Sequence, residues 1–508
     1  PFIYKTGSSS HLVVDGKPFL ILGGEITPSP TTSAVYMASN NIWQKVKATG
    51  ANTVFIAVTW EVWEPVEGQF DQAWFDQILG QAREAGLRVV IQWFGSLKGG
   101  HDLSTYAPTW VKLESERFPK YKRREEAYND EGDEMGKMIH TTECLSFFGS
   151  ELAKAEQNAF RALMEHIAQS NKDQQTILMV QIGSQIGFAK DSRDCSNAAN
   201  AAFEADVPQA FVDYLRKAGS AMTNDKAYDW ETFGETSERA EAVFTVYHLA
   251  SHVETLAKIV KDVHPVPTFT TVPLEDTEGL LYGAPGPDNL PLWKGFAPSI
   301  DFYAPRMLHN KYGSVCEDWG TKANQPLLVM AHPQDAEKVR QLWTAFGSYG
   351  AFGVATIHMD RVNPGTTTLP EHFGLMGRIE PILLVARGQG LLIEGFSFLS
   401  SNAAGIVTES PIKKTWGGYD FTITKLPTGN FRGGACGVVI HQGKGKALAI
   451  GHGFQLKAKA VAPEATITRV LSFHKLEVNQ DGGLDTLRSL NADETGSGRV
   501  ALMPPSDP

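Results

Sequence analysis

The sequence predicts a (β/α)8 TIM barrel, an α/β fold, followed by a C-terminal antiparallel β-sandwich-like domain. With 508 residues and 42% hydrophobic content, the chain can build a large core and a smaller second domain. Up to residue 380, short apolar runs alternate with helical patterns, which is typical of a parallel sheet covered by helices. Beyond it, short apolar runs and Gly-rich turns favour antiparallel strands. We therefore predict domains at 1–380 and 381–508.

The apolar runs predict eight barrel strands, because parallel strands buried on both faces are nearly continuous in Val, Ile and Leu. They lie at 17–25, 52–59, 87–94, from 176 onward, and at 266–272, 299–304, 326–330 and 352–357. Helical periodicity predicts helices at 32–47, 71–86, 151–169, 208–217, 239–263 and 334–347. In the second domain, residues 434–441 and 447–453 are predicted as antiparallel strands.

A long polar insertion separates the third strand from the next helix, at about 98–143. Loops of this length in a compact domain usually shape a binding site, so we expect it to border one. Its basic run at 120–124 is followed at once by Glu125 and Glu126, which indicates a solvated loop rather than a nucleic-acid patch.

The fourth strand ends in Gly-Ser-Gln at 183–185, and in a TIM barrel the chemistry is done where strands end. Ser184 and Gln185 are therefore predicted at the site. The Gln185 amide donates and accepts hydrogen bonds but transfers no proton at neutral pH.

Further polar or charged side chains follow other predicted strands and are expected at the same mouth: Glu25, Glu61, Arg306, His309, His332, His358 and Asp360. A histidine exchanges a proton near neutral pH, so His332 and His358 are candidates for proton transfer, with Asp360 beside them. The alternative is that each histidine is a hydrogen-bonded structural residue. Glu25, Glu61, Arg306 and His309 are predicted to orient substrate.

Aromatic side chains near the same strand ends have two possible roles. Trp60 and Trp93 are candidates for a flat wall against the substrate, and the alternative is that they belong to the core.

Composition limits the partners. A net charge of −11 argues against nucleic acid, and the sequence contains no apolar run long enough for a membrane span. Four dispersed cysteines form no metal or redox motif, and no nucleotide-binding Gly motif occurs, so we predict neither metal nor cofactor. The chain begins without an apolar signal segment and has no Asn-x-Ser/Thr acceptor, which favours the cytoplasm over a secreted mature form.

Several motifs together resemble glycoside hydrolase family 35, the β-galactosidase-like barrels, in the branch with its own C-terminal β-domain. They are Val-Asp-Gly-Lys-Pro-Phe at 14–19, Gly-Gly-Glu at 23–25, Thr-Trp-Glu at 59–61, Glu-Pro-Val-Glu-Gly-Gln-Phe-Asp at 64–71 and Trp-Phe-Gly-Ser at 93–96. The resemblance implies a general acid/base Glu after the fourth strand and a nucleophilic Glu at the end of the seventh. Here these positions are Gln185 and Ala331.

Retaining hydrolysis needs both carboxyl groups, about 5 Å apart. We therefore expect a family 35-like barrel repurposed as a non-hydrolytic enzyme for a small molecule, a glycoside or a polycyclic metabolite, acting by acid–base isomerisation, elimination or cyclisation. One alternative is a retaining β-galactosidase-type hydrolase carrying a substituted acid/base. Another is a carbohydrate-binding protein without activity.

Overall fold

The first domain is a barrel of eight parallel strands. The computed structural model describes residues 1–6, 9–98, 106–128, 134–172, 175–217, 229–231, 237–274, 281–307, 311–399, 410–426, 434–479 and 482–505. Barrel strands 1 to 8 are, in chain order, Ile21–Glu25, Thr53–Thr59, Arg88–Lys98, Ile177–Ser184, Thr268–Val272, Phe302–Pro305, Leu328–His332 and Gly353–Thr356. Each overlaps one of the predicted apolar runs; strands 3, 6 and 7 extend beyond the C-terminal end of theirs.

The barrel closes between strands 6 and 7. Hydrogen bonding orders the strands 6-5-4-3-2-1-8-7, and a parallel bridge between Arg306 and Met330 joins the two ends of this series. The Met307 amide also donates to the Met330 carbonyl at 2.7 Å. The predicted (β/α)8 class is confirmed.

A three-stranded antiparallel sheet precedes the barrel, formed by Phe2–Thr6, Ser9–Val14 and Lys17–Phe19. Leu12 and Val14 from this sheet are buried in one cluster with Ile21 and Phe55 of the barrel interior. The predicted strand at 17–25 is therefore two strands, and only the second belongs to the barrel.

Helices cover the outside of the barrel. Their bounds are Pro28–Thr31, Ala34–Ser39, Ile42–Ala48, Trp60–Trp63, Gln72–Glu84, Thr109–Leu113, Ser150–Ser170, Asn197–Glu204, Gln209–Lys217, Ser237–Val263, Leu290–Phe296, Tyr312–Cys316, Ala336–Val339, Leu342–Gly347 and Leu369–Gly388, with a π-helical turn at Glu317–Lys322 and a 3-10 turn at Met359–Arg361. The predicted helix at 32–47 is broken, because Asn41 has a left-handed backbone (φ 50°). No helix in the described part of the chain is long and apolar enough to cross a lipid bilayer.

The insertion after strand 3 contains an antiparallel hairpin of Lys120–Tyr128 and Glu134–Leu145. Its basic run is not a solvated loop. Arg124 lies 2.5 Å from Asp191 and 2.7 Å from Glu241, and both carboxylates are nearly buried. The expectation of a solvated loop was therefore wrong, because the acidic partners come from a distant part of the sequence.

The second domain is built of antiparallel strands. One sheet contains Leu392–Phe398, Ala435–Gly443 and Lys446–His452; another contains Ile412–Trp416, Tyr419–Lys425, Phe454–Ala460 and Ala501–Met503; a two-stranded sheet contains Phe473–Val478 and Leu484–Leu490. The last barrel helix, Leu369–Gly388, runs across residue 380. The division into 1–380 and 381–508 stays a prediction.

Candidate active site at the barrel mouth

Glu25 reaches from the end of strand 1 to the end of strand 7. Ile21 lies in the barrel interior, so period-two alternation also turns Gly23 and Glu25 inward. Strand 7 has an irregular register between Val329 and His332, and Ala331 there has a left-handed backbone (φ 51°). This bend directs the Ala331 amide, which donates a hydrogen bond to Oε1 of Glu25. A carboxylate from strand 1 therefore lies beside Ala331 at the end of strand 7.

Arg306 follows strand 6 and supplies positive charge to the same place. Its Nη1 lies 4.0 Å from Oε2 of Glu25, and the two side chains are only 12% and 9% exposed. Charges shielded from water interact more strongly than surface pairs, so Arg306 attracts the Glu25 side chain at this end of the barrel.

Strand 4 places Gln185 at the mouth on a strained backbone. Ser184, the last residue of the strand, is buried. Gln185 is half-buried and left-handed (φ 54°), and its backbone N–H donates to Thr271 Oγ1 at 3.4 Å. Left-handed conformations of residues other than glycine are costly and concentrate at functional sites.

Asp360 joins the loops after strands 8 and 1. Its Oδ1 accepts a hydrogen bond from the Thr27 amide at 2.9 Å, and its Oδ2 accepts one from the Thr27 hydroxyl at 2.8 Å. With its side chain only 4% exposed, Asp360 positions this loop.

The three predicted histidines differ in their surroundings. His358 is exposed after strand 8 and has a left-handed backbone (φ 59°). His332 is buried; its Nδ1 lies 2.8 Å from the Pro333 carbonyl and its ring packs edge-on against Tyr312. Burial lowers the pKa of His332 to about 4. His309 lies outside the described residues. Of the two described, His358 is the one open to solvent.

The predicted aromatic wall is not formed by Trp60 and Trp93. Both are 0–1% exposed and belong to the main core cluster. The indole of Trp60 donates to Glu64 at 2.7 Å, and the indole of Trp93 donates to Glu156 at 3.0 Å. The prediction that they contact substrate is corrected, because each indole nitrogen has a buried carboxylate partner within the core.

Glu61 lies on the strand 2 side of the mouth. Lys112, from the helix Thr109–Leu113, binds it at 2.9 Å, and its amide donates to the Tyr106 carbonyl at 2.9 Å. Burial, and then the charge of Glu61, raise the pKa of Tyr106. The insertion therefore contacts the segment after strand 2, and its role in shaping a binding site stays a prediction.

A glutamine pair inside the barrel was not predicted. Gln92 on strand 3 donates to Gln181 on strand 4 at 2.9 Å, and Gln181 donates to the Gly183 carbonyl at 2.7 Å. Buried amides need such partners. In the sequence, the signal for this pair was a single Gln among the apolar residues of each strand. The hydrogen bond from Gln181 to Gly183 holds the backbone two residues before Gln185.

No curated protein matches the chain. A family model for the β-galactosidases of glycoside hydrolase family 42 matches residues 36–232. A model for a domain of unknown function, DUF5597, matches residues 369–502. The first match indicates a glycoside-hydrolase-type barrel related to family 42, and assignment to family 35 is not supported.

Solved structures with a similar fold include two β-galactosidases and an amylase. They are Gan42B, a family 42 β-galactosidase from G. stearothermophilus (14% identity, 72% of this chain, 57% of that chain, TM-score 0.49), the β-galactosidase from Bacillus circulans sp. alkalophilus (12%, 72%, 57%, 0.47) and the catalytic domain of β-amylase from Paenibacillus polymyxa (14%, 67%, 93%, 0.45). The match spans 57% of each β-galactosidase. Neither substrate nor reaction follows from likenesses of this degree.

Proposed function

We propose that this chain binds a sugar or another glycoside-like small molecule at the barrel mouth and acts on it by acid–base chemistry, without retaining hydrolysis. The observation that carries the proposal is the hydrogen bond from the Ala331 amide to Glu25. This bond supports a role for Glu25, because it holds a carboxylate from strand 1 at the end of strand 7.

The residue types limit the chemistry. Retaining hydrolysis requires one carboxylate to attack and a second carboxyl group, about 5–5.5 Å away, to protonate the leaving oxygen. The end of strand 4 carries Gln185, whose amide cannot protonate a leaving group. We therefore do not propose retaining hydrolysis by two carboxyl groups for this chain.

One ionised carboxylate fits proton abstraction. Glu25, with Arg306 beside it, would take a proton from a carbon beside a carbonyl group, and the electron pair left behind would form an enolate, which is reprotonated or expels a leaving group. Gln185 would donate a hydrogen bond to the oxygen that gains charge. His358, exposed after strand 8, would return a proton. These proton transfers together amount to an isomerisation or an elimination.

The first experiment tests binding. Titration with methyl β-galactoside, followed by saturation-transfer NMR, should show binding to the parent chain. Glu25→Gln should weaken it about tenfold or more, because a hydrogen bond to a charged group contributes about 1.5–3 kcal/mol. Glu67→Gln is the matched control, since exposed Glu67 pairs with Arg117. Equal affinity of all three proteins would refute the role of Glu25.

The second experiment separates catalysis from binding. In D2O, the parent chain should exchange the C2 hydrogen of galactose, which proton abstraction beside the carbonyl requires. Glu25→Gln should abolish the exchange. Binding without exchange would support the non-catalytic alternative instead.

A further inference from the structure

Three potential metal ligands meet where the last barrel helix packs on the second domain. His372 lies on the helix Leu369–Gly388, Cys436 on the strand Ala435–Gly443, and His452 ends the strand Lys446–His452. One ligand atom from each lies within 4.8 Å of the other two. The tertiary fold assembles this cluster from segments up to 80 residues apart, so local sequence spacing gave no sign of it.

The separations suit a tetrahedral ion. Cys436 Sγ lies 3.5 Å from His452 Nε2 and 3.9 Å from His372 Nδ1. Zinc holds sulfur at about 2.3 Å and nitrogen at about 2.0–2.1 Å, which places two tetrahedral ligands about 3.5 Å apart. The cluster therefore needs little adjustment to bind one ion.

Glu371 offers a fourth ligand. Its Oε1 lies 3.2 Å from His452 Nε2, the same nitrogen that faces the sulfur of Cys436. Its side chain is 42% exposed, whereas that of His452 is 14% exposed. A site built this way has three shielded ligands and one side open to solvent, by which an ion can enter.

The ligand types also suit zinc. Imidazole nitrogen, cysteine sulfur and carboxylate oxygen are ordinary zinc ligands. A bound divalent ion deprotonates a cysteine thiol, and the proton is released to solvent.

We propose that His372, Cys436, His452 and Glu371 form a zinc site that fastens the second domain to the barrel. The competing arrangement is a metal-free polar contact, in which the indole of Trp343 donates to His372 Nδ1 at 3.1 Å. Zinc on this nitrogen displaces that hydrogen bond, so the two arrangements exclude each other.

The test uses the full chain after removal of metals with a chelator. Calorimetric titration with zinc should give one ion per chain. Replacement by cobalt should give a thiolate-to-cobalt charge-transfer band in the near ultraviolet, and Cys436→Ser should remove this band. His452→Ala should weaken zinc binding about tenfold or more.

Two variants outside the cluster serve as controls for the loss of zinc binding. Cys316→Ser changes another buried cysteine, and His441→Ala another buried histidine of the second domain. Both should bind zinc as the parent does. Glu371→Gln, at a partly exposed side chain, should fold even where Cys436→Ser does not, and should weaken binding about 10- to 100-fold. No stoichiometric zinc in the parent, or equal binding by the parent and all cluster variants, would overturn the proposal.

Discussion

Burial decides the protonation of His332 more than its position at the end of a strand. Its ring lies against Tyr312 and its Nδ1 faces the Pro333 carbonyl, so water does not compensate a positive charge there. Its pKa of about 4 leaves it neutral at pH 7. The predicted strand at 326–330 placed His332 just beyond its end, whereas the strand ends on His332, and residue order alone does not reveal that the irregularity at Ala331 changes the direction of the next side chain.

The depressed pKa of His332 predicts a dependence of stability on pH. Its folded pKa of about 4 lies below the unfolded value of about 6.5, so the unfolded chain binds more protons in this window. His332 should therefore cost about 2 kcal/mol of unfolding free energy between pH 7 and pH 5. Urea unfolding at both pH values should show that the free energy of unfolding decreases less in His332→Leu than in the parent. The control His474→Leu, at an exposed position, should decrease as much as the parent does. Equal decreases in all three would contradict this assignment.

Gly95 is packed too closely to accept a side chain. A Cβ there would overlap Glu156 Oε1 and lie 2.7 Å from Trp93 Nε1, which are already hydrogen-bonded. Gly95→Ala should therefore lower the free energy of unfolding by about 1–3 kcal/mol. Gly80→Ala is the control, because nothing lies within 4 Å of a Cβ inside that helix; it should raise stability by about 0.5–1 kcal/mol. Urea unfolding measures both, and opposite signs are the expected result.

Among the elements, barrel strands were predictable and the hairpin was not. Each barrel strand is an apolar run buried on both faces, as at Thr53–Thr59, and such runs are visible in any sequence. The hairpin Lys120–Tyr128 and Glu134–Leu145 is polar, and its Arg124 is paired with Asp191 and Glu241. Those partners lie 67 and 117 residues away in the sequence, so no local sequence pattern predicts the ion pairs.

The Arg124 pairs predict how the hairpin contributes to stability. Arg124→Gln removes the cation beside nearly buried Asp191 and leaves Glu241 with Arg193 alone, so it should lower the free energy of unfolding by about 3 kcal/mol at pH 7. Although burial raises the pKa values of Asp191 and Glu241, hydrogen bonds from Arg124 bring both below their ordinary values. Their contribution is present above about pH 4.5, the ordinary pKa of a glutamate, and is lost as the pH falls through their lowered folded pKa values.

Urea unfolding at pH 7 and at pH 3 measures this difference. The gap between the parent and Arg124→Gln should shrink at pH 3. Arg117→Gln, whose partner Glu67 is exposed, should change stability little at either pH. An Arg124→Gln protein as stable as the parent at pH 7 would show that the hairpin needs no ion pair.

At the level of the whole molecule, the barrel fold could be predicted from the sequence. The side-chain contacts at the barrel mouth could be predicted only in part. Glu25, Gln185, Arg306 and Ala331 lie at strand ends, which a TIM barrel gathers at one face, and their roles in a site stay predictions. The contact between Glu25 and Ala331 depends on a register irregularity in strand 7, which no apolar pattern encodes. The burial of Trp60 likewise depends on a carboxylate partner in a loop.

The central claim is that the mouth lacks the carboxylate pair of retaining hydrolysis and uses Glu25 alone. Hydrolysis of an aryl β-galactoside by the parent chain and by the double variant Gln185→Glu, Ala331→Glu tests it most directly. The account predicts no release above a buffer blank by the parent, and measurable release by the variant. Release by the parent well above the blank, and its loss in Glu25→Gln, would contradict the account, because Glu25 would then belong to a working hydrolytic pair.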